Sequence, residues 1–492
     1  MTERTTARPL HVFVVFFCLL GACRTQAQTA AKGGTSPTSA TRPVCVACIR
    51  AHMEFLASDG LRGRGSGTPD ELLAATYVAS QLRQYGVAPA GDDGTYLQRA
   101  TIARPTLTAP PELRFMTTGD GSPPQQTVWT HGRQMLALQL GESKFQGPLK
   151  RVDTENRSGM QLEAKGSVVA ILGRDDDKVQ AAVSAALDGG AEAVLAPASA
   201  ETLKDWDERG KQLPKLPAAV EGEASAGLSG DNSNVFALSQ EALANLRGVP
   251  DGTLIDFEGA VGKPETSFTW NALGKISGTD PGLRKSIILL TAHIDHLGVG
   301  APVQGDNIYN GADDDASGTT AVLELARALV SRSKPRRTVM FAFFGSEEAG
   351  RLGATWFESH PPVPLSDMAA DLEFEMIGRP DPEYPPDTLW MTGWERSNLG
   401  PVLAAHGAKL VADKRPEQHF FTRSDNYVLA RKGVVAQTVS SFGLHGDYHQ
   451  PSDDLAHIHF THLTAVIGSL IRPVEWLVNS DFRPTWRVGG RP

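Results

Sequence analysis

Two short runs, Ile287 to Ala292 and Val339 to Phe344, are apolar at nearly every position. A strand with one wet face alternates, so both are read as strands covered by helices on either side. Between them, Thr319 to Arg332 carries Val322, Leu325, Ala326 and Leu329 at i, i+3, i+4 and i+7, one buried helical stripe. Leu372 to Ile377 and Val434 to Ser440 add two more strands. Strands alternating with helices predict an α/β fold whose mixed, mainly parallel sheet is flanked by helices, and ligands of such sheets gather beyond the carboxyl ends of the strands.

Those ends hold the chemistry. His293 follows the first strand, and Asp295 can orient it, because a metal-bound imidazole gives its other N–H to a carboxylate or carbonyl. A lone His there is more often structural. Its company raises it: Asp313, Asp314 and Asp315 stand just before a helix, where a cap needs one carboxylate and not three. Asp314 as a bridge between two cations accounts for that concentration of charge. Glu347 and Glu348 leave the next strand in different directions, so one can hold a metal while the other faces a water as general base; the bland alternative is a solvated loop pair. Glu375 and His449 could complete two ligand sets, with Glu373 competing for the role of Glu375. His with carboxylates is a donor set that suits zinc.

The 492 residues call for two domains, and 41% apolar with 21% charged is a soluble globular balance. A net charge of −9 without a Lys or Arg block excludes a nucleic-acid footprint. At the start, Arg4 and Arg8 precede the apolar run Val12 to Leu20, too short for a membrane span of roughly 20 residues. Residues 1–27 therefore read as an export signal. Leu20-Gly21-Ala22-Cys23 resembles a lipoprotein cleavage box with Cys23 as the lipidated residue and the one membrane contact, against ordinary cleavage near Ala27. A flexible tether spans 28–44. Cys45 and Cys48 form a local disulfide or stay as two thiols. Helices are expected from Cys45 to the Ser58-Asp59-Gly60 stop and from Thr68-Pro69 to Gly86, with LRGRGSGT a glycine-punctuated loop between them. Residues 45–105 and 265–492 form the main domain, interrupted at 106–264 by a smaller, non-catalytic α/β insert with strands at SVVAILG and AVLAP.

TAHIDHLG, NGADDDASGTTAVLELAR, FAFFGSEEAGRLGA, FEMIGRP and DYHQPSDD resemble, in order, the motifs of the M28 family of di-zinc exopeptidases. The insert resembles the protease-associated domain that several members carry. The resemblance implies the zinc-exopeptidase fold and two zinc ions per chain, with His293 and Glu348 on different zincs, Asp314 bridging, Glu347 as general base and His449 on the Glu348 side. Glu375 stands where many members have Asp, and Asn426 where a His is frequent. The expected function is an exported aminopeptidase, periplasmic, outer-membrane-bound or secreted, acting on peptides. The alternatives are a carboxypeptidase or N-acyl amino-acid hydrolase on the same site, a glutaminyl cyclase, and a receptor-like non-enzyme. Side-chain preference and oligomeric state stay open.

Overall fold

A fully apolar strand must be covered twice, and here it is. In Ile287–His293 every residue is buried. Ile288 and Leu290 face a core shared with the helices Val46–Leu56, Pro69–Tyr85, Gly318–Val330 and Phe460–Asn479. Ile287 and Leu289 face the opposite core, under Leu352–Ser359 and Asn426–Arg431. The structure, a computed structural model, describes residues 44–117, 125–154, 162–222 and 233–492. The expected signal segment, Cys23 and nearly all of the tether lie outside them. No helix among the described residues is long and apolar enough to cross a membrane.

Ile287–His293 pairs in parallel with Val339–Phe344 on one side and Met368–Phe374 on the other, and the latter with Val435–Ser440. Glu265–Ile276 and Leu97–Arg104 extend the sheet antiparallel. Ten strands result, a mixed sheet with a parallel centre. After Val339–Phe344 the chain crosses to the far side of Ile287–His293, so strand order reverses there and opens a crevice at the carboxyl ends.

An eight-stranded sheet, from Glu112–Thr117 to Leu254–Glu258, has its own apolar cores. Both sheets belong to one compact unit. The short strand Ala219–Val220, inside the expected insert, joins the large sheet against Ile102 and Ala103; two residues are too few to carry a sequence pattern.

The start of the described chain forms as its caps dictate. Thr68 accepts from the Asp70 N–H ahead of Pro69–Tyr85, and Gly86 ends that helix at φ 85°. Cys45 and Cys48 are joined as a disulfide at the first turn of Val46–Leu56. One boundary differs from expectation. The strand expected at Leu372 to Ile377 is Met368–Phe374, because Met376 turns to φ 51° and gives its N–H to Asp315 instead of to a strand.

Candidate metal centre

Four strand ends deliver the predicted residues to one crevice. His293 closes its strand, Glu347 and Glu348 follow Val339–Phe344, Glu375 follows Met368–Phe374, and His449 lies on the loop beyond Val435–Ser440. Asp314 comes from the tight turn Ala312–Ser317 that opens helix Gly318–Val330. His293 Nε2 stands 3.0 Å from Asp314 Oδ1. His449 Nε2 lies 3.3 Å from Asp314 Oδ2 and 3.2 Å from Glu348 Oε2. Two triads have donor atoms within 4.8 Å of one another: His293, Asp314 and Glu375, and His296, Asp314 and Glu348. Asp314 is common to both.

The neighbouring acids are sorted by what they already bind. Asp315 accepts the N–H groups of His293 (3.3 Å), Gly318 (3.0 Å) and Met376 (3.0 Å). Asp313 accepts the Gly378 N–H at 2.7 Å and faces His445 Nε2 at 3.1 Å. Asp453 takes the N–H groups of Asp313 and Asp314. Glu373 is likewise committed, to Ser424 Oγ (2.8 Å), Asn426 N–H (2.8 Å) and Thr438 Oγ1 (2.9 Å). Glu375 is thereby left as the half-buried carboxylate of that segment in the pocket. Asn426 belongs to the scaffold: its Nδ2 donates to the Phe421 carbonyl at 3.2 Å.

Asp295 stands beside His293 Nδ1, and its carboxylate also holds the glutamate loop. Its carboxylate accepts from the N–H groups of Glu347 (2.9 Å) and Glu348 (3.3 Å) and from Ser66 Oγ (2.5 Å). His293 Nδ1 instead donates to the Asp295 backbone carbonyl at 3.2 Å, with the carboxylate 3.7 Å away. The cause is geometric, since the carboxylate turns toward three donors that lie nearer. With Nδ1 turned to that carbonyl, Nε2 faces Asp314, the orientation a metal ligand would need.

The LRGRGSGT loop braces the whole centre. Buried Arg64 donates to the carbonyls of Leu56, Ile294 (2.8 Å), Asn310 (2.7 Å) and Gly311 (2.9 Å), tying the His293 and Asp314 loops together. Gly63 sits at φ +69°, and a Cβ there would lie 2.2 Å from the Tyr309 carbonyl. Just beyond, Glu71 accepts from Ser346 Oγ at 2.8 Å, immediately before the glutamate pair.

Electrostatically, the crevice is overloaded with anions. Burial lowers the His449 pKa, but Asp314 and Glu348 more than reverse that and push it up to about 10. Burial, then the charge of Glu373, pushes Glu375 up to about 7. Burial also holds Glu347 well above the carboxylate range. Moreover, His296 Nδ1 and Glu348 Oε1 approach to 2.8 Å without hydrogen-bond alignment. They and His449 Nε2 stay buried and without hydrogen-bond partners, as donor atoms converging on an ion would be.

His296, Asp453 and Arg64 are the residues that sequence reasoning passed over. His296 carried a legible signal, a second His in the same TAHIDHLG loop. Arg64 carried none, because a single Arg between glycines reads as loop surface.

Curated relatives match over limited stretches. A probable lipoprotein aminopeptidase of Mycobacterium tuberculosis (strain ATCC 25618 / H37Rv) is 27% identical over 182 residues, 36% of this chain and 33% of that protein. Leucine aminopeptidase 1 of Emericella nidulans is 34% identical over 109 residues, 20% of this chain and 26% of that protein. The chain thus spans a third or less of the length of these curated relatives. Among solved structures, an aminopeptidase from Aneurinibacillus sp. strain AM-1 is similar in fold, with TM-score 0.52 and 19% identity over 89% of this chain and 95% of that one. Residues 271–472, the stretch that carries every side chain of the two triads together with Glu347 and His449, match the model of Peptidase family M28.

Proposed function

We propose that the chain is an exported zinc aminopeptidase that removes N-terminal residues from peptides, with two metal sites sharing Asp314. The observation that carries this reading is the pair of His/carboxylate triads meeting at Asp314, with Glu347 at their edge. His293, Asp314 and Glu375 would hold one zinc; Asp314, Glu348 and the imidazoles of His449 and His296 would hold the other. When bound, the metals supply Lewis acidity, polarising the scissile carbonyl and acidifying a water.

The chain's own groups do the rest. Glu347 shares the pocket with Asp314, Glu348 and Glu375, and Asp295 fixes its backbone. Its carboxylate is placed to take a proton from the attacking water and pass it to the leaving amine. The pocket itself is small, about 50 Å3, with Met376, Trp390, Phe420, Phe442 and Tyr448 in its walls. It suits one apolar side chain at the peptide's N-terminal end, whose free amine is drawn by the carboxylates. The names of the two relatives point the same way.

One observation favours a second reading. Arg423 also lines the pocket and stacks on Phe420, a cation that could take a substrate carboxylate as a carboxypeptidase or N-acyl amino-acid hydrolase requires. Metal analysis of the purified chain, combined with hydrolysis of aminoacyl amides bearing a free or an acetylated amine, decides. Two zincs and turnover of the free amine alone support the aminopeptidase; turnover of the acetylated series alone overturns it.

A further inference from the structure

Glu348 lines two cavities, the aromatic pocket of about 50 Å3 and a groove of about 560 Å3. The first has room for a side chain. The second lies within the roughly 300–1,000 Å3 of ligand clefts. A chain cleaved beside Glu348 with its N-terminal residue in the pocket has its remainder directed into the groove.

The groove is a built feature that joins both sheets. One wall holds Arg104, at the end of a strand of the large sheet, together with Ala349 and Gly350. The other comes from strand Met135–Gln139, the end of helix Trp206–Lys211 and residues 212–218. That wall is pinned at both ends. His131 donates from Nε2 to the carbonyls of Arg209 (3.3 Å) and Gln212 (3.0 Å), while its Nδ1 accepts from the Ala137 N–H. Gly132 and Gly210 touch backbone to backbone, so that a Cβ on Gly132 would lie 2.6 Å from the Gly210 carbonyl. At the far end Ala219–Val220 is stitched to the strand that bears Arg104.

The lining is cationic. It holds Arg104, Arg209 and Lys215, and its one carboxylate is Glu348, which the metal centre claims. None of the three cations has an ion-pair partner among the described residues. Beside them Leu138 and Leu213 are 46% and 39% exposed, apolar surface available to a peptide.

We propose that this groove binds the part of the peptide downstream of the scissile bond, and that Arg104, Arg209 and Lys215 recognise a carboxylate there. The carboxylate is the C-terminus of a short peptide or an acidic side chain. The inference rests on the aminopeptidase reading, which sets the direction of the peptide.

The test compares KM values of the zinc-loaded protein for Leu-Ala-Ala, its C-terminal amide, and Leu-Ala-Glu amide. The free acid is expected to have a KM about tenfold below the amide, a ratio that shrinks with added salt as exposed charges are screened. In the triple variant Arg104→Gln, Arg209→Gln, Lys215→Gln the ratio falls to about one. If Leu-Ala-Glu amide matches the free acid, the groove reads a side-chain carboxylate; if only the free acid binds tightly, it reads the terminus. A ratio near one in the parent protein, or one unmoved in the triple variant, overturns the proposal. Should no free-amine peptide be hydrolysed, the aminopeptidase reading falls by itself. The groove is then judged by calorimetric binding of the same three peptides to Glu347→Gln. There a preference for carboxylate that depends on the three cations upholds it, and equal binding of acid and amide overturns it.

Discussion

Two layers of carboxylates lie against each other at the crevice, and they differ in what they already hold. In the layer beneath, Asp313, Asp315, Glu373 and Asp453 each accept backbone N–H groups from neighbouring loops. In the layer that faces the pocket, Asp314, Glu347, Glu348 and Glu375 are left to imidazoles and to the open space. Burying a carboxylate costs several kcal/mol unless something compensates it. Hydrogen bonds do that below, whereas the upper layer calls for cations. The same residue types, one or two positions apart, are thus tied up by the scaffold in one layer and left facing the pocket in the other.

The largest expected effect tests the upper layer. Asp314→Asn should remove both metal equivalents and with them all measurable turnover, seen by metal analysis and peptide hydrolysis; one metal retained at full occupancy would show that Asp314 is not shared. Glu347→Gln should keep both metals yet lose about 10²–10⁴ in kcat, the usual weight of a general base. Near-normal turnover would remove Glu347 from the mechanism.

Asp315→Ala tests the lower layer. Three N–H groups would be orphaned, each worth about 1–3 kcal/mol, so urea unfolding should show a loss of at least about 3 kcal/mol. A loss under 1 kcal/mol would erase the distinction between the layers.

A buried group distant from either layer supplies a reference. Burial, then the charge of Arg327, lowers the His52 pKa to about 4, and the tyrosine hydroxyls of Tyr77 and Tyr85 lie 2.9 Å from its two nitrogens. The folded value lies below the ordinary 6.5, so the unfolded chain binds the extra proton. Stability from this group is therefore present above pH 6.5 and lost as pH falls from 6.5 to 4, by up to roughly 3 kcal/mol. Unfolding free energies of the parent and His52→Gln should converge over that window, and parallel curves would contradict it. The last change is His296→Asn, expected to weaken the hold on one metal by about tenfold or more, which is about 1.4 kcal/mol or more. Unchanged affinity at both sites would make His296 a packing residue.

Much of this was legible beforehand. The two apolar strands flanking the helix, the helix itself, the Thr68 and Gly86 caps and the His and acid clusters at strand ends are local patterns that stand where sequence reading placed them, although that helix is buried nearly all round and not along one stripe. What stayed hidden depends on partners far away in the chain. Glu373 and Glu375 are alike in sequence until Ser424, Asn426 and Thr438 occupy the first of them. Asp295, read as the partner of His293, also holds the N–H groups of Glu347 and Glu348, a second task that its place in the sequence does not show.

By itself, then, the sequence determined the α/β alternation, the strand ends where chemistry collects and the stock of imidazoles and carboxylates, because hydrophobic period and residue type are properties of neighbours along the chain. Only the tertiary structure decided which acids are saturated, that Arg64 ties two loops under the centre, and that a cationic groove meets the site at Glu348. Those are matters of which donors and charges come within a few ångströms across hundreds of residues, and no local pattern encodes them.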